Sequence, residues 1–182
     1  MIKMIVLTLA FCMSAVGVYA QKADFSGKWT LDVAKSKLGE RNNIETQTLT
    51  VAQTANDIKI DTATKRTPPP SGTPGGGGGG GGGGMMGRGG DGAATYMLDG
   101  KDMKSEIAGP GGSMVPVTTN GKIDGGKLLL SNSRTFTTPN GAITSTTKET
   151  WELSADGKTL TVNVERTSPR GTDTTTKVFV KG

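Results

Sequence analysis

The segment Trp151–Val164 constrains the fold of this chain more than any other part of the sequence. Apolar and polar residues alternate on both sides of Asp156-Gly157, as they do in strands that bury one face. An Asp-Gly pair between two alternating runs is a strong signal for a β-hairpin, because these residues tolerate the backbone angles of a tight turn. The segment therefore predicts two antiparallel strands, and similar units recur along most of the chain.

Further turn signals divide the remaining sequence into alternating segments. They lie at Asp99-Gly100, Asp124–Gly126, Pro139–Gly141 and Pro169–Gly171. The only helical signal is a single turn over Val33–Gly39, which the glycine would stop. Consecutive hairpins without helices of real length predict an all-β fold, an antiparallel up-and-down β-barrel of about 8–10 strands.

The first twenty residues have the features of a secretory signal peptide. Lys3 supplies the charged start, Ile5–Val18 the apolar stretch, and Ala20 ends a small-x-small cleavage site. A lipoprotein signal ending at Cys12 and an uncleaved anchor are the alternatives. We expect cleavage near Ala20, which predicts an exported protein of the periplasm or the extracellular space without a transmembrane span in its mature form.

The composition excludes several kinds of chemistry. The chain has no histidine and one cysteine, and that cysteine leaves with the predicted signal peptide. Zinc sites with Cys or His ligands, cysteine nucleophiles and Ser-His-Asp triads are therefore excluded from the mature chain. No convergent pair of carboxylates is evident among the acids considered, which are Asp32, Asp61, Asp102, Glu106 and Glu149. We predict no enzymatic activity and no cofactor.

The net charge of +5 is spread along the chain without a basic run or a basic helix face. We therefore expect no nucleic-acid partner. We also expect a monomer. Residues 67–92 interrupt the strand pattern with prolines and ten consecutive glycines, Gly75–Gly84. Glycine loses the most entropy on ordering and has no side chain to bury, so we predict a disordered loop. This loop divides one barrel domain into residues 21–66 and 93–182.

Several motifs of the mature chain resemble those of exported bacterial lipocalin-like proteins, a calycin-type β-barrel family. They are Phe25-Ser-Gly-Lys-Trp-Thr-Leu31, Ala34-Lys-Ser-Lys37, Tyr96-Met-Leu-Asp-Gly-Lys101, Gly126-Lys-Leu128 and Trp151-Glu-Leu-Ser-Ala-Asp-Gly-Lys-Thr-Leu-Thr161. The resemblance covers nearly the whole mature chain except the glycine loop. It implies a small barrel with a cavity for an apolar ligand, closed at one end by the tryptophan of Gly27-Lys28-Trp29. The Arg-x-Tyr pair that holds carboxylates in fatty-acid-binding proteins is not matched at Val178–Lys181.

Strand register adds a candidate site. With Asn140-Gly141 as a two-residue loop, Leu130 faces Trp151 and Asn132 faces Glu149; with Asp156-Gly157 as a loop, Thr147 faces Arg166. Both registers place one mostly apolar face inward, and Ile143 belongs to it. We predict a ligand site formed by Arg134, Glu149, Arg166, Asn132, Thr147, Trp151, Leu130 and Val162. Two arginines against one glutamate leave a positive charge that an anionic head group could neutralise; a salt bridge at a hydrated barrel mouth is the alternative.

These features support two hypotheses about function. The first is an exported lipocalin-like protein that binds a small hydrophobic or amphipathic molecule, with an anionic head group as an option. The second is a cell-envelope structural or protein-interaction domain with a filled core and no ligand. The sequence does not decide which side chains of the last strand face inward. A three-residue loop at Pro169–Gly171 turns Val178 and Val180 inward, whereas a two-residue loop favours Phe179.

Overall fold

The structure, a computed structural model, describes residues 23–39, 42–67, 91–109, 112–138 and 141–182. The predicted signal peptide and nearly all of the predicted glycine loop lie outside these ranges. The loop's last residue, Gly92, already belongs to a strand. Within the described ranges no helix has the length and apolar character that a membrane crossing requires.

The fold is an all-β, antiparallel, nearly closed barrel of ten strands, as the alternation predicts. The strands are β1 Gly27–Leu31, β2 Ile44–Gln53, β3 Asp57–Arg66, β4 Gly92–Met97, β5 Met103–Ala108, β6 Met114–Asp124, β7 Lys127–Thr138, β8 Gly141–Leu153, β9 Thr159–Ser168 and β10 Gly171–Lys181. Their order in the sheet is β4-β3-β2-β1-β10-β9-β8-β7-β6-β5, so the first and last strands pair directly. The expected helical turn is a short turn over Val33–Lys35, after which Lys37 forms a bridge to Thr176.

The predicted hairpin at Asp99-Gly100 is wrong, because β4 and β5 lie at opposite ends of the sheet and do not pair. The segment after β4 instead crosses to β6, where Asp99 bridges Lys122 and the Gly100 N–H donates to the Gly121 carbonyl at 3.0 Å. A methyl group on Gly121 would lie 2.7 Å from the carbonyl oxygen of Met97. Glycine thus permits the close approach of strands that nearly closes the barrel.

One end of the barrel interior is filled by aromatic side chains from the N-terminal strand region. Phe25 and Trp29 are fully buried, and Leu31 follows them on the same face, as the alternation predicts. The indole N–H of Trp29 donates to the Phe25 carbonyl at 2.9 Å, and the Phe25 ring packs edge-on against Trp151. The Lys181 ammonium lies 5.2 Å from the centroid of the Trp29 ring. These contacts close that end of the barrel.

The register between β8 and β9 is the predicted one, with Trp151 opposite Val162 and Thr147 opposite Arg166. The connection is longer than a two-residue turn, since the strands stop at Leu153 and resume at Thr159. Ser154 forms hydrogen bonds within that loop. Its N–H donates to the Thr159 carbonyl, and its hydroxyl donates to the Asp156 carboxylate.

The register between β7 and β8 differs from the prediction by two residues. Leu130 lies opposite Glu149 rather than Trp151, and Asn132 lies opposite Thr147 rather than Glu149. Pairing continues to Thr138 and Gly141, so Gly141 belongs to β8 rather than to the predicted two-residue loop.

A shift of two residues leaves every side chain on its predicted face, because side chains in a strand alternate with a period of two. Ile143, expected inward, is 39% exposed near the start of β8, because the interior is open at that level.

The last strand turns Phe179 inward. Ser168 pairs with Gly171, which leaves a two-residue loop between β9 and β10. Phe179 is buried, whereas Val180 is exposed. The same alternation turns Lys177 toward the interior, a consequence that the sequence prediction did not include.

Candidate functional site

A cavity of about 160 Å³ lies inside the barrel beyond the aromatic end. Its apolar wall comes from six strands and includes Leu49, Ile60, Trp151, Val162 and Phe179. Polar and charged side chains complete the lining; they are Gln47, Thr62, Asp91, Tyr96, Asn132, Arg134, Thr147, Glu149, Arg166 and Lys177. The cavity can hold a small organic molecule or several waters, since one water occupies about 30 Å³ of liquid.

Seven of the eight residues predicted for the site line this cavity. Leu130 is the exception: it is buried in the hydrophobic core and does not line the cavity. Asn132, Thr147 and Arg166 form one row across three neighbouring strands. Trp151 and Val162 pair in a row nearer the aromatic end. The cavity therefore has a polar level at its open end above an apolar level.

The predicted group of two arginines and one glutamate is present, with a bonding pattern that the sequence did not specify. The Glu149 carboxylate accepts a hydrogen bond from the Trp151 indole N–H at 2.8 Å. The Arg134 Nε–H donates to the Asn132 side-chain oxygen at 3.1 Å. Burial lowers the pKa of Arg134, and the nearby Arg166 charge lowers it further. The two guanidinium groups therefore repel each other across the cavity.

Lys177 is a cavity residue that the sequence analysis missed. It lies opposite Val162, in the row that also contains Trp151, so it is deeper than Arg166. Its ammonium donates to the Gln47 side-chain oxygen at 3.0 Å, and the Gln47 amide in turn donates to the Thr64 hydroxyl. Once Phe179 and Leu49 are known to face inward, alternation along β10 and β2 places Lys177 and Gln47 inward as well.

Burial is the main reason that the pKa of Lys177 is lowered. The Arg166 and Arg66 charges lower it too, whereas the Glu149 and Asp91 carboxylates act in the opposite direction. A partly buried ammonium near other cations is costly, although the hydrogen bond to Gln47 and the Glu149 and Asp91 charges offset part of this cost. An added anion in the cavity would relieve this cost.

Asn132 and Tyr96 are two buried polar residues at the polar level of the cavity. Asn132 is 9% exposed, and within the described part of the chain its Nδ2 has no hydrogen-bond partner. Tyr96 is also buried, and burial together with the Glu149 charge raises its pKa to about 12. Tyr96 therefore keeps its proton at neutral pH and can donate or accept a hydrogen bond.

The charged residues of the cavity lining leave a net positive charge. Arg134, Arg166 and Lys177 face two carboxylates, Glu149 and Asp91. Arg166 and Asp91 are exposed at the open end, whereas the other three are partly buried. Within the described ranges, no group of three or more acidic, histidine or cysteine side chains is placed to share a metal ion.

This chain has few recognisable similarities to known proteins. No protein-family model matches the sequence, and no curated protein matches it. Among solved structures, the chain is similar to a zebrafish ileal bile acid-binding protein in complex with cholic acid, at 15% sequence identity and a TM-score of 0.46. That similarity covers 87% of this chain and 98% of the other. The strand order and register of this chain define its fold independently of that similarity.

Proposed function

We propose that this protein is a carrier that binds a small, largely apolar molecule with an anionic head group inside the barrel. The observation that supports the proposal is the cavity itself, which combines an apolar wall with a cationic, incompletely satisfied polar level. Binding sites for small molecules commonly combine an apolar lining with a few convergent polar groups. The competing hypothesis of a filled-core envelope domain requires large side chains that occupy this space.

The apolar body of the ligand would lie against Trp151, Val162 and Phe179. Its anionic group would lie between Arg134 and Arg166, with Lys177 deeper in the cavity, and would neutralise the excess charge. The Asn132 amide would donate to the same group and satisfy its own Nδ2. Charge-assisted hydrogen bonds of this kind stabilise a bound anion by about 1.5–3 kcal/mol each, which corresponds to roughly a 10–100-fold change in Kd.

The experiment compares a medium-chain carboxylate with the alcohol of equal chain length by isothermal titration calorimetry. We expect the carboxylate to bind at least about tenfold more tightly than the alcohol. Arg134→Met with Arg166→Met should remove this preference, because both substitutions keep apolar bulk and delete charge. Lys65→Met, which deletes an exposed charge outside the cavity lining, is the matched control and should leave both affinities unchanged.

The outcomes separate the parts of the proposal. Equal binding of both compounds would retain a carrier but remove the anion preference. Lack of binding for both compounds, and for a wider set of lipids and metabolites, would refute the carrier. An unchanged preference in the double arginine variant would show that these arginines do not contact the anion.

We also propose that the protein is exported and that Met1–Ala20 is removed. The charged start, apolar stretch and small residues before Gln21 support this proposal. N-terminal sequencing of the protein from the cell that makes it should begin at Gln21. A mature chain that retains Met1, or one that begins at a lipid-modified Cys12, would refute cleavage after Ala20.

A further inference from the structure

Strand β5 forms an edge of the sheet that no other described strand covers. It pairs with β6 and is the last strand in the sheet order. Five of its six side chains are exposed, and Ile107 is the partly buried exception. An exposed edge strand carries unpaired backbone N–H and carbonyl groups, which can pair with another strand. We call this free side of Met103–Ala108 the β5 edge.

The hydrogen-bond pattern identifies the backbone groups on the β5 edge. The N–H of Gly109 donates to the Ser113 carbonyl at 2.7 Å, directly beyond the end of the β5–β6 ladder. Hydrogen-bonded pairs recur at every second residue of an antiparallel ladder, so Met103, Ser105 and Ile107 direct their backbone groups toward β6. Lys104 and Glu106 therefore direct theirs toward the free side.

The side-chain sequence of this edge is complementary to itself. Read from either end, it runs apolar, charged, serine, oppositely charged, apolar: Met103, Lys104, Ser105, Glu106, Ile107. In an antiparallel pair of two copies with Ser105 on the twofold axis, Lys104 lies opposite Glu106 of the partner subunit. Met103 then lies opposite Ile107 of the partner subunit. Opposite charges and apolar pairs in these positions stabilise a sheet.

We propose that this protein forms a symmetric homodimer in which two copies of β5 pair antiparallel about Ser105. This register also pairs the outward backbone groups of Lys104 with those of Glu106 of the partner subunit. A shift of the register by two residues in either direction would place like charges opposite each other, which is destabilising. The dimer replaces the monomer expected at the level of the sequence.

The proposed dimer is independent of the ligand site, because none of the β5 residues lines the cavity. The contact is one short strand per subunit, well below the area of a standard stable interface. We therefore expect a weak dimer with a Kd in the micromolar range, visible as a concentration-dependent mass. Met103, which is 36% exposed, would become covered on dimerisation.

Sedimentation velocity of charge variants tests the inference. Lys104→Glu alone and Glu106→Lys alone each create two like-charge contacts, so each should shift the protein toward monomer. The double variant restores both contacts with reversed sign and should recover the wild-type dimer. The same exchange at Lys65 and Glu45, an exposed ion pair elsewhere on the barrel, is the matched control and should leave the mass distribution unchanged.

Cysteine cross-linking in a Cys12→Ser background tests the register. Across a non-hydrogen-bonded antiparallel pair the Cα atoms are about 4.5 Å apart, within the range that a disulfide spans. Ser105→Cys should therefore form covalent dimers on oxidation. Lys104→Cys should not, because equivalent residues two positions out of register are about 7–8 Å apart.

Two outcomes would overturn the inference. The first is a wild-type protein that remains monomeric up to millimolar concentration, with no Ser105→Cys cross-link. The second is a dimer that both single charge variants leave intact, or that the double variant does not restore; this would place the interface elsewhere. Circular dichroism of each variant should match the wild type, since these side chains are exposed.

Discussion

Removal of the Trp29 side chain should destabilise the barrel strongly, because this residue fills its closed end. Trp29 is fully buried, its indole N–H donates to the Phe25 carbonyl, and the Lys181 ammonium lies over its ring. Truncation of a buried tryptophan to alanine typically costs about 3–5 kcal/mol. The lost hydrogen bond and cation–π contact place Trp29→Ala near the upper end of that range.

Two further variants separate the contributions. Trp29→Phe keeps an aromatic ring and loses the indole N–H, so we expect a cost of about 1–2 kcal/mol from the lost hydrogen bond and the smaller ring. Thr30→Ala changes the neighbouring exposed residue of β1 and should cost less than about 0.5 kcal/mol.

Urea unfolding followed by far-UV circular dichroism measures these costs without tryptophan fluorescence. With an m value of about 2 kcal/mol/M, a loss of about 4 kcal/mol lowers the midpoint by about 2 M. A Trp29→Ala midpoint within about 0.5 M of the wild type, at an unchanged m value, would refute the role of Trp29 as the closure of the barrel. Equal costs for Trp29→Ala and Trp29→Phe would show that the hydrogen bond, rather than packing, dominates.

Three more predictions concern the cavity and the closure of the sheet. Tyr96 should ionise with a pKa of about 12. Its phenolate absorbance should therefore appear at a pH well above the ordinary tyrosine pKa of 10.0. Between those values the unfolded chain has lost the tyrosine proton and the folded chain has not, so the Tyr96 contribution to stability falls as pH rises. Lys177 acts in the opposite direction, because its pKa in the folded chain is below the ordinary value of 10.5. At a pH between these two pKa values the unfolded chain binds more protons than the folded chain. The free energy of unfolding therefore rises with pH in that range. Lys177→Met should remove that rise. Gly121→Ala should cost about 1–3 kcal/mol, because the added methyl group meets the Met97 carbonyl, whereas Gly182→Ala has space and should be neutral.

Each of these predictions has a contrary outcome. A Tyr96→Phe variant whose alkaline absorbance equals that of the wild type would show that the high titration belongs to another group. An alkaline rise in stability that persists in Lys177→Met would assign it elsewhere. A Gly121→Ala protein as stable as the wild type would mean that β4 and β6 can separate without cost.

Most of the fold could be predicted from side-chain alternation, which depends on local sequence. The inward faces that carry Trp29, Leu49, Trp151 and Val162 are as predicted, because burial of one strand face requires a period of two. The β7–β8 register was two residues off, yet Asn132, Thr147 and Trp151 still face the interior, whereas Ile143 is exposed. Alternation determines the face of a strand, whereas turn geometry determines its exact partner.

The wrong predictions concern pairing between strands that are distant in sequence. Asp99-Gly100 has the composition of a hairpin turn, but its two flanking strands belong to opposite ends of the sheet. Local propensity could not show this, because the contacts that decide it, from Asp99 to Lys122 and from Gly100 to Gly121, are distant in sequence. Lys177 was missed for a related reason, since its direction depends on a loop length that the sequence left open.

Native mass spectrometry of the protein, purified without detergent or solvent from the cell that makes it, tests the carrier most directly. A carrier should show a discrete additional mass that organic extraction removes and that fragments to a small amphipathic anion. A bare polypeptide mass, together with no uptake from an added extract of lipids and metabolites, would contradict it.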